Sequence, residues 1–298
     1  MGRFSLHGWL VALLALVAAV GCSSPGRELL DRAASEPQAQ PEPTSPPAAK
    51  VAPSFEYSVH LPPDAEARQP LTVLVALHGM GGNGADFSRR LIEDADRNGW
   101  LLVAPTLSYR DWRDPEQVRR DGSDLLPGLK AMLDELPART GLAVRKRALL
   151  YGFSRGGQMA HRFALFFPRA TRGVVALSTG TFTLPATRIR LGADETPLAF
   201  PYGVGDLEQI EGRPFDPTSL RQVDFWVGVG ERDNQATELP HQWDPYIGTT
   251  RVERARSFAR ALAQLGTHAE LTVFPGAAHE MTDDMRARAV AFLGSLAQ

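Results

Sequence analysis

The chain carries a single cysteine, Cys22, in 298 residues, so no intramolecular disulfide can form, even in an oxidising compartment. It also lacks an excess of either charge. Lys and Arg number 32 against 34 Asp and Glu, giving a formal net charge of −2 with the two signs interspersed. A basic face that neutralises phosphates is therefore not expected, and nucleic acid is excluded as a partner. A permanent membrane span is missing as well: the unbroken apolar run Leu10–Val20 has eleven residues, whereas a spanning helix needs about 20. There is no internal repeat. What remains, 43% hydrophobic and 22% charged residues, is ordinary globular composition, ample for one sizeable core.

The short apolar run has a meaning of its own. Arg3 precedes it and Ala19-Val20-Gly21-Cys22 follows, a positive end, an apolar middle and small residues before a cleavage point. The stretch resembles a bacterial lipoprotein signal, departing from it at Ala19, where leucine is usual. That resemblance implies removal of residues 1–21 and a lipid on Cys22, palmitate among its acyl chains, that anchors the protein to a membrane of the cell envelope. Ordinary secretory cleavage with Cys22 incidental is the alternative, and either route exports the protein. Residues 22–53 are rich in Pro, Ala, Gln, Ser and Glu, with Pro37, Pro41, Pro43, Pro46, Pro47 and Pro53 among them. Such a composition cannot bury enough apolar surface to order itself and reads as an extended tether. The folded domain is expected over 54–298.

From Phe55 onward, apolar runs bounded by glycine or proline alternate with amphipathic stretches. Phe55–Leu61 alternates and suits an antiparallel edge strand. Leu71–Leu77, Trp100–Ala104, Arg147–Tyr151, Val174–Leu177, Asp224–Val229 and Leu271–Phe274 read as strands of a parallel sheet covered on both faces. Helices are predicted over Ala85–Asn98, Ser123–Leu136, Gly157–Phe167, Val252–Leu265 and Met281–Leu296, with Ser123 as an N-cap and Pro127 at the margin of the first turn. The alternation predicts an α/β fold: one open, mostly parallel sheet with helices on both faces. Ligands of such sheets bind at the carboxyl ends of the strands.

Three chemistry-bearing residues fall at such ends. Gly152-Phe153-Ser154-Arg155-Gly156 follows the apolar run Ala148–Tyr151 and precedes helical sequence. This G-x-S-x-G pattern is weak alone, but its strand–turn–helix context suits a strained turn that lifts a serine hydroxyl out of the sheet. A serine is a poor nucleophile at neutral pH and needs a base, which in turn needs an orienting carboxylate. His279 follows the last strand, after Phe274-Pro275-Gly276-Ala277-Ala278. Asp233 follows an earlier one in Gly230-Glu231-Arg232-Asp233, where Glu231 is the competing acid. His60, His161, His241 and His268 lack such placement and read as surface or packing residues. A fourth feature, His78-Gly79-Met80-Gly81-Gly82-Asn83-Gly84, also satisfies G-x-G-x-x-G. The next strand, however, ends Val103-Ala104-Pro105-Thr106 without the acid a dinucleotide ribose requires, which argues against that cofactor.

Ser154, Asp233 and His279, in that chain order, together with the glycine-rich loop after the first long strand, resemble the α/β-hydrolase superfamily. They are similar to the secreted esterase branch that includes polyhydroxyalkanoate depolymerases and feruloyl esterases. The resemblance spans roughly Phe55 to Gln298. It implies catalytic Ser154, Asp233 and His279 and an oxyanion hole from the backbone N–H groups of Met80 and Arg155, with His78 bracing the loop. It further implies no metal or organic cofactor and a small-molecule or polymeric ester as substrate. A peptidase or other acyl hydrolase on the same fold, and a surface lipoprotein that binds without turnover, are the alternatives. Residues 178–222 depart from the pattern as a possible lid insertion, in which Asp206 and Asp216 are reserve candidates for the acid. Asp111-Trp112-Arg113 and the stretch 234–250 with Trp243 and Tyr246 are candidates either for substrate contact or for packing the loops down.

Overall fold

The structure, a computed structural model, describes residues 55–297. The expected leader over 1–21, the lipidation at Cys22 and the tether over 22–53 lie outside the described residues. Among those described, no helix is long and apolar enough to cross a membrane.

Strands β1 (Tyr57–His60), β2 (Thr72–Leu77), β3 (Trp100–Pro105), β4 (Ala148–Phe153), β5 (Thr171–Leu177), β8 (Asp224–Gly230) and β9 (Ala269–Phe274) form one sheet in the order β1-β3-β2-β4-β5-β8-β9. Only β1 is antiparallel, pairing with β3 at the edge; every other neighbour is parallel. Strands β6 (Arg188–Leu191) and β7 (Asp194–Pro197) make a separate, exposed antiparallel hairpin.

Successive side chains of a strand point to opposite faces, so the continuous apolar runs divide between two cores. Val73, Val75, Leu77, Leu150, Val174, Val227 and Val229 pack with the helices Pro115–Thr140, Arg155–Phe166 and Arg251–Leu265. Leu74, Ala76, Leu149, Tyr151, Val175 and Trp226 pack with Ile92–Asn98 and Asp283–Leu296 on the other face. This two-sided burial is why these strands carry apolar runs without polar alternation.

Two helices differ from the sequence reading. The segment expected as one helix over Ala85–Asn98 is Gly84–Ser88, a 3₁₀ turn Arg89–Leu91, and Ile92–Asn98. The helix expected to begin at Ser123 instead runs Pro115–Thr140, capped by Asp114, whose side chain accepts from Glu116 N at 2.9 Å. Pro115 opens it, where a missing N–H costs nothing, and Pro127 lies in its interior. Burial of Leu125, Leu126, Leu129, Met132 and Leu136 carries the helix through the proline, because tertiary packing outweighs local propensity. Ser123 is no cap: its hydroxyl donates back to Arg119 O at 3.1 Å.

Residues 178–222 are only partly superficial. Thr179, Thr181, Phe182, Thr183, Leu184, Leu198, Phe200 and Val204 are buried. Phe200 lies over Gly122 so closely that a Cβ there would meet its ring at 2.3 Å. The exposed parts are the β6–β7 hairpin and the stretch that carries Glu208, Gln209, Arg213 and Pro214.

Candidate active site

All parallel strands end on the same side of the sheet, and the loops after β2, β4, β8 and β9 meet there. β4 runs straight into Ser154, which sits at φ 55°, ψ −115° and opens the helix Arg155–Phe166. A non-glycine residue at such angles is strained and is held by its surroundings. Here Ser154 N donates to Leu177 O at 2.8 Å and Gln158 N to Ser154 O at 3.1 Å. The glycines that flank it are sterically required: a Cβ on Gly152 would lie 2.2 Å from Gly156 O, and one on Gly156 would lie 1.9 Å from Leu77 O.

His279 brings Nε2 to 3.0 Å from Ser154 Oγ and Nδ1 to 2.9 Å from Asp233 Oδ2. A carboxylate only accepts, so Nδ1 carries the proton and Nε2 is free to accept from the serine hydroxyl. Asp233 is buried and its second oxygen accepts from Arg251 Nη1 at 2.7 Å. Glu231 is not part of this chain of contacts: its carboxylate accepts from Gly276 N at 3.0 Å and pins the β9 loop. Asp216 caps the short helix Pro217–Leu220 by accepting from Ser219 N at 2.9 Å. Asp206 pairs with Arg119 at 2.6 Å. Of the four acids weighed in the sequence, Asp233 alone reaches the imidazole.

The loop after β2 lies against the serine; a Cβ on Gly79 would stand 3.5 Å from Ser154 Cβ. His78 braces it as expected. Its Nδ1–H donates to Gly79 O at 2.7 Å, its Nε2 accepts from Leu107 N at 2.9 Å, and its carbonyl accepts from Tyr109 Oη at 3.0 Å. Burial holds this imidazole below the usual histidine range, which suits a neutral strut. Arg155 N is the first N–H of its helix, one of the donors a helix leaves without an internal acceptor. Met80 is exposed beside it and borders the cavity next to Ser154.

Three contributors carried no sequence signal. Arg251 holds Asp233 and also reaches the Glu238 carboxylate at 3.3 Å. Asp121, fully buried, receives the Arg155 guanidinium and ties the helix Pro115–Thr140 to the start of the helix after Ser154. Gln158 lies one turn along that same helix and lines the cavity. Asp233, Glu238 and His279 offer ligand atoms within 4.8 Å of one another, but Arg251 already pairs with both carboxylates, and His279 is hydrogen-bonded to Asp233 alone of the two.

The cavity has a volume of about 170 Å³ and includes Trp112, Gly180 and Pro240 in its wall. Trp112 is thus a lining residue. Trp243 is buried instead, donating from Nε1 to Phe182 O at 3.1 Å and packing 4.7 Å from Tyr202, which also meets Tyr246 at 4.7 Å. Those two aromatics hold a loop down. A larger cleft of about 470 Å³ opens beside Thr72, Arg147 and Arg172, at the amino ends of the strands. It contains no nucleophile–base pair, so chemistry and not volume selects the site.

No protein-family model matches the chain, and no curated protein matches its sequence. Solved structures do. A poly(3-hydroxybutyrate) depolymerase from Bordetella parapertussis is similar with 26% identity and a TM-score of 0.59 over 82% of this chain and 87% of that one. A poly(aspartic acid) hydrolase-1 from Sphingomonas sp. KT-1 is similar with 20% identity and a TM-score of 0.53, over 77% and 89%. A Bacillus cereus carboxylesterase is similar with 15% identity and a TM-score of 0.53, over 81% and 94%. The chain has the α/β-hydrolase fold. In an α/β-hydrolase fold the strand–serine–helix turn stands at the middle of the sheet's carboxyl edge, and β4 is the central strand here, with three strands on either side. The low identities carry the architecture and leave the reaction to the site.

Proposed function

We propose that this protein is a serine hydrolase that cleaves carboxylic esters through an acyl-enzyme. The observation that supports it most is the unbroken relay from Ser154 Oγ through His279 to buried Asp233, with spacings of 3.0 and 2.9 Å. In this reading Ser154 Oγ attacks the ester carbonyl as its proton passes to His279 Nε2. The carbonyl oxygen becomes an oxyanion held by the N–H groups of Met80 and Arg155, each worth about 3 kcal/mol in such a site. The C–O bond to the alcohol then breaks, and His279 returns the proton to the departing oxygen. Water, deprotonated by the same imidazole, hydrolyses the acyl-enzyme and restores the Ser154 hydroxyl. Asp233 remains ionised throughout, orienting the ring and stabilising the imidazolium. No step calls for a metal or an organic cofactor.

The test is labelling with a fluorophosphonate probe alongside hydrolysis of p-nitrophenyl esters. Ser154 is expected to be the labelled residue, and Ser154→Ala to lower turnover by at least about 10³-fold while the domain stays folded. Labelling that persists in Ser154→Ala would falsify the assignment; a folded protein that neither labels nor turns over is a binding scaffold. A peptide panel beside the esters separates the peptidase alternative, since the relay does not choose the leaving group.

The sequence around Cys22 supports a further part of the reading, that the enzyme is exported and held at a membrane by an N-terminal lipid. Metabolic labelling with palmitate is expected to mark the wild type and not Cys22→Ser; an unmodified mature chain replaces anchoring with simple secretion.

A further inference from the structure

The cavity beside Ser154 has a polar wall that the relay does not use. Gln158 is 6% exposed, and its side chain is oriented by two buried guanidinium groups. Arg155 Nη1 and Arg162 Nη1 both donate to Gln158 Oε1, the latter at 3.2 Å. With the oxygen so engaged, the amide nitrogen is the atom turned toward the cavity, and it donates to nothing among the described residues. It would stand 3.5 Å from a Cβ on Gly180, a position that glycine leaves open. A second donor lies close by: Arg251 Nε, buried and without a partner among the described residues, would be 4.0 Å from that Cβ.

The charge behind this wall is positive. Arg162 is fully buried and also donates to Thr183 Oγ1 at 3.0 Å and Thr181 Oγ1 at 2.8 Å, with no carboxylate paired to it among the described residues. A guanidinium stays protonated in proteins, so the Gln158 amide is polarised by its neighbours and strengthened as a donor. Arg251 Nε is a buried donor left without a partner among the described residues, and such a donor is costly unless something fills it.

We propose that this wall is a subsite for an oxygen acceptor carried on the acyl chain of the substrate, with Gln158 Nε2 as its principal donor. The inference rests on the ester-hydrolase reading and deepens it. Gln158 follows Ser154 by four residues on one helix, about 6 Å along the axis. The acyl group attached to Ser154 Oγ, with its oxyanion at Arg155 N, lies over this same helix end, while the leaving oxygen must lie at His279. An acceptor a few bonds beyond the scissile carbonyl then reaches the amide. A site built to hydrogen-bond a substrate group discriminates strongly against analogues that lack it.

Three p-nitrophenyl esters test this: pentanoate, which has no acceptor, 4-oxopentanoate with a neutral carbonyl, and monosuccinate with a carboxylate. At least one oxygenated ester is expected to exceed pentanoate by tenfold or more in kcat/KM, and which of the two leads separates a neutral from an anionic acceptor. Gln158→Glu keeps an oxygen for Arg155 and Arg162 but replaces the donor with an acceptor, so the preference should fall at least tenfold. Equal rates for all three esters, or a preference retained in Gln158→Glu, overturns the subsite. Binding of the matching methyl esters to Ser154→Ala, followed by chemical-shift titration, gives a readout without turnover. There the oxygenated esters should bind at least tenfold tighter than methyl pentanoate, and equal affinity overturns the subsite. Failure of the ester-hydrolase reading shows separately, as loss of fluorophosphonate labelling.

Discussion

At the residue scale, Asp233 shows how a site residue depends on more than its own contact with the reacting groups. One oxygen serves His279 and the other is neutralised by Arg251 in a buried pair. Removing a partner from such a pair leaves an uncompensated charge and typically costs several kcal/mol. Asp233→Asn keeps the shape and loses the charge. Its amide can present the wrong group to Nδ1, as in the known serine relays where the tautomer is then lost. We expect Asp233→Asn to cut kcat by about 10²–10⁴-fold with a near-normal KM. Glu231→Gln, whose carboxylate contacts only the β9 loop, should stay within about threefold of the parent. Steady-state kinetics on a p-nitrophenyl ester reads both, and the reverse pattern would move the acid two residues toward β8. Asp233 and His279 were legible in the sequence because each follows a strand end that chain order makes meaningful. Arg251 and Asp121 were not: a cation at the start of one helix and an acid inside another acquire their roles only through tertiary proximity, which leaves no local pattern.

At the scale of elements, sequence punctuation was reliable where glycine answers to backbone contacts and unreliable where packing overrides propensity. Gly152 and Gly156 mark the turn around Ser154 because backbone approaches there leave no room for a Cβ. The helix Pro115–Thr140 shows the opposite case, since Ser123 was read as its N-cap with Pro127 at the margin of the first turn, whereas the helix begins at Pro115 and its buried leucine face carries Pro127 in the interior. A proline inside a helix removes one hydrogen bond and crowds the preceding turn, at a cost of about 3 kcal/mol in open sequence. Pro127 is half-buried, so burial of its ring offsets part of that cost. Pro127→Ala should therefore raise unfolding free energy by about 1–2 kcal/mol, with kcat unchanged because Asp121 stays in place. Urea denaturation measures the difference; a lowered midpoint would show that the ring's packing outweighs the hydrogen bond it forbids.

For the whole molecule, the alternation of apolar runs with amphipathic stretches was enough to foresee the parallel sheet and its antiparallel edge, because two-sided burial writes itself into every strand. The buried polar layer beneath the site was not foreseeable in that way, and it makes stability depend on pH. His161 is fully buried; its Nδ1–H donates to Gly157 O at 2.9 Å, Nε2 accepts from Thr183 N at 3.0 Å, and Phe182 and Phe258 flank the ring at 5.1 and 5.0 Å. Desolvation, with the nearby Arg162 charge adding to it, holds its imidazole well below the usual histidine range. The folded state thus binds fewer protons than the unfolded chain, in which a histidine titrates near 6.5. Stability from keeping this ring neutral is fully present above that pH and is lost as pH falls below it, at up to about 1.4 kcal/mol per pH unit. Between pH 6.5 and 5, above most carboxylate titrations, the unfolding free energy of the wild type should fall with decreasing pH. His161→Gln retains a donor and an acceptor but cannot take up a proton. It is expected to be less stable at pH 8 and to show a shallower slope across the same window. Identical slopes in the two proteins would mean that other groups carry the pH dependence and that this histidine takes up its proton in the folded state as readily as in the unfolded chain.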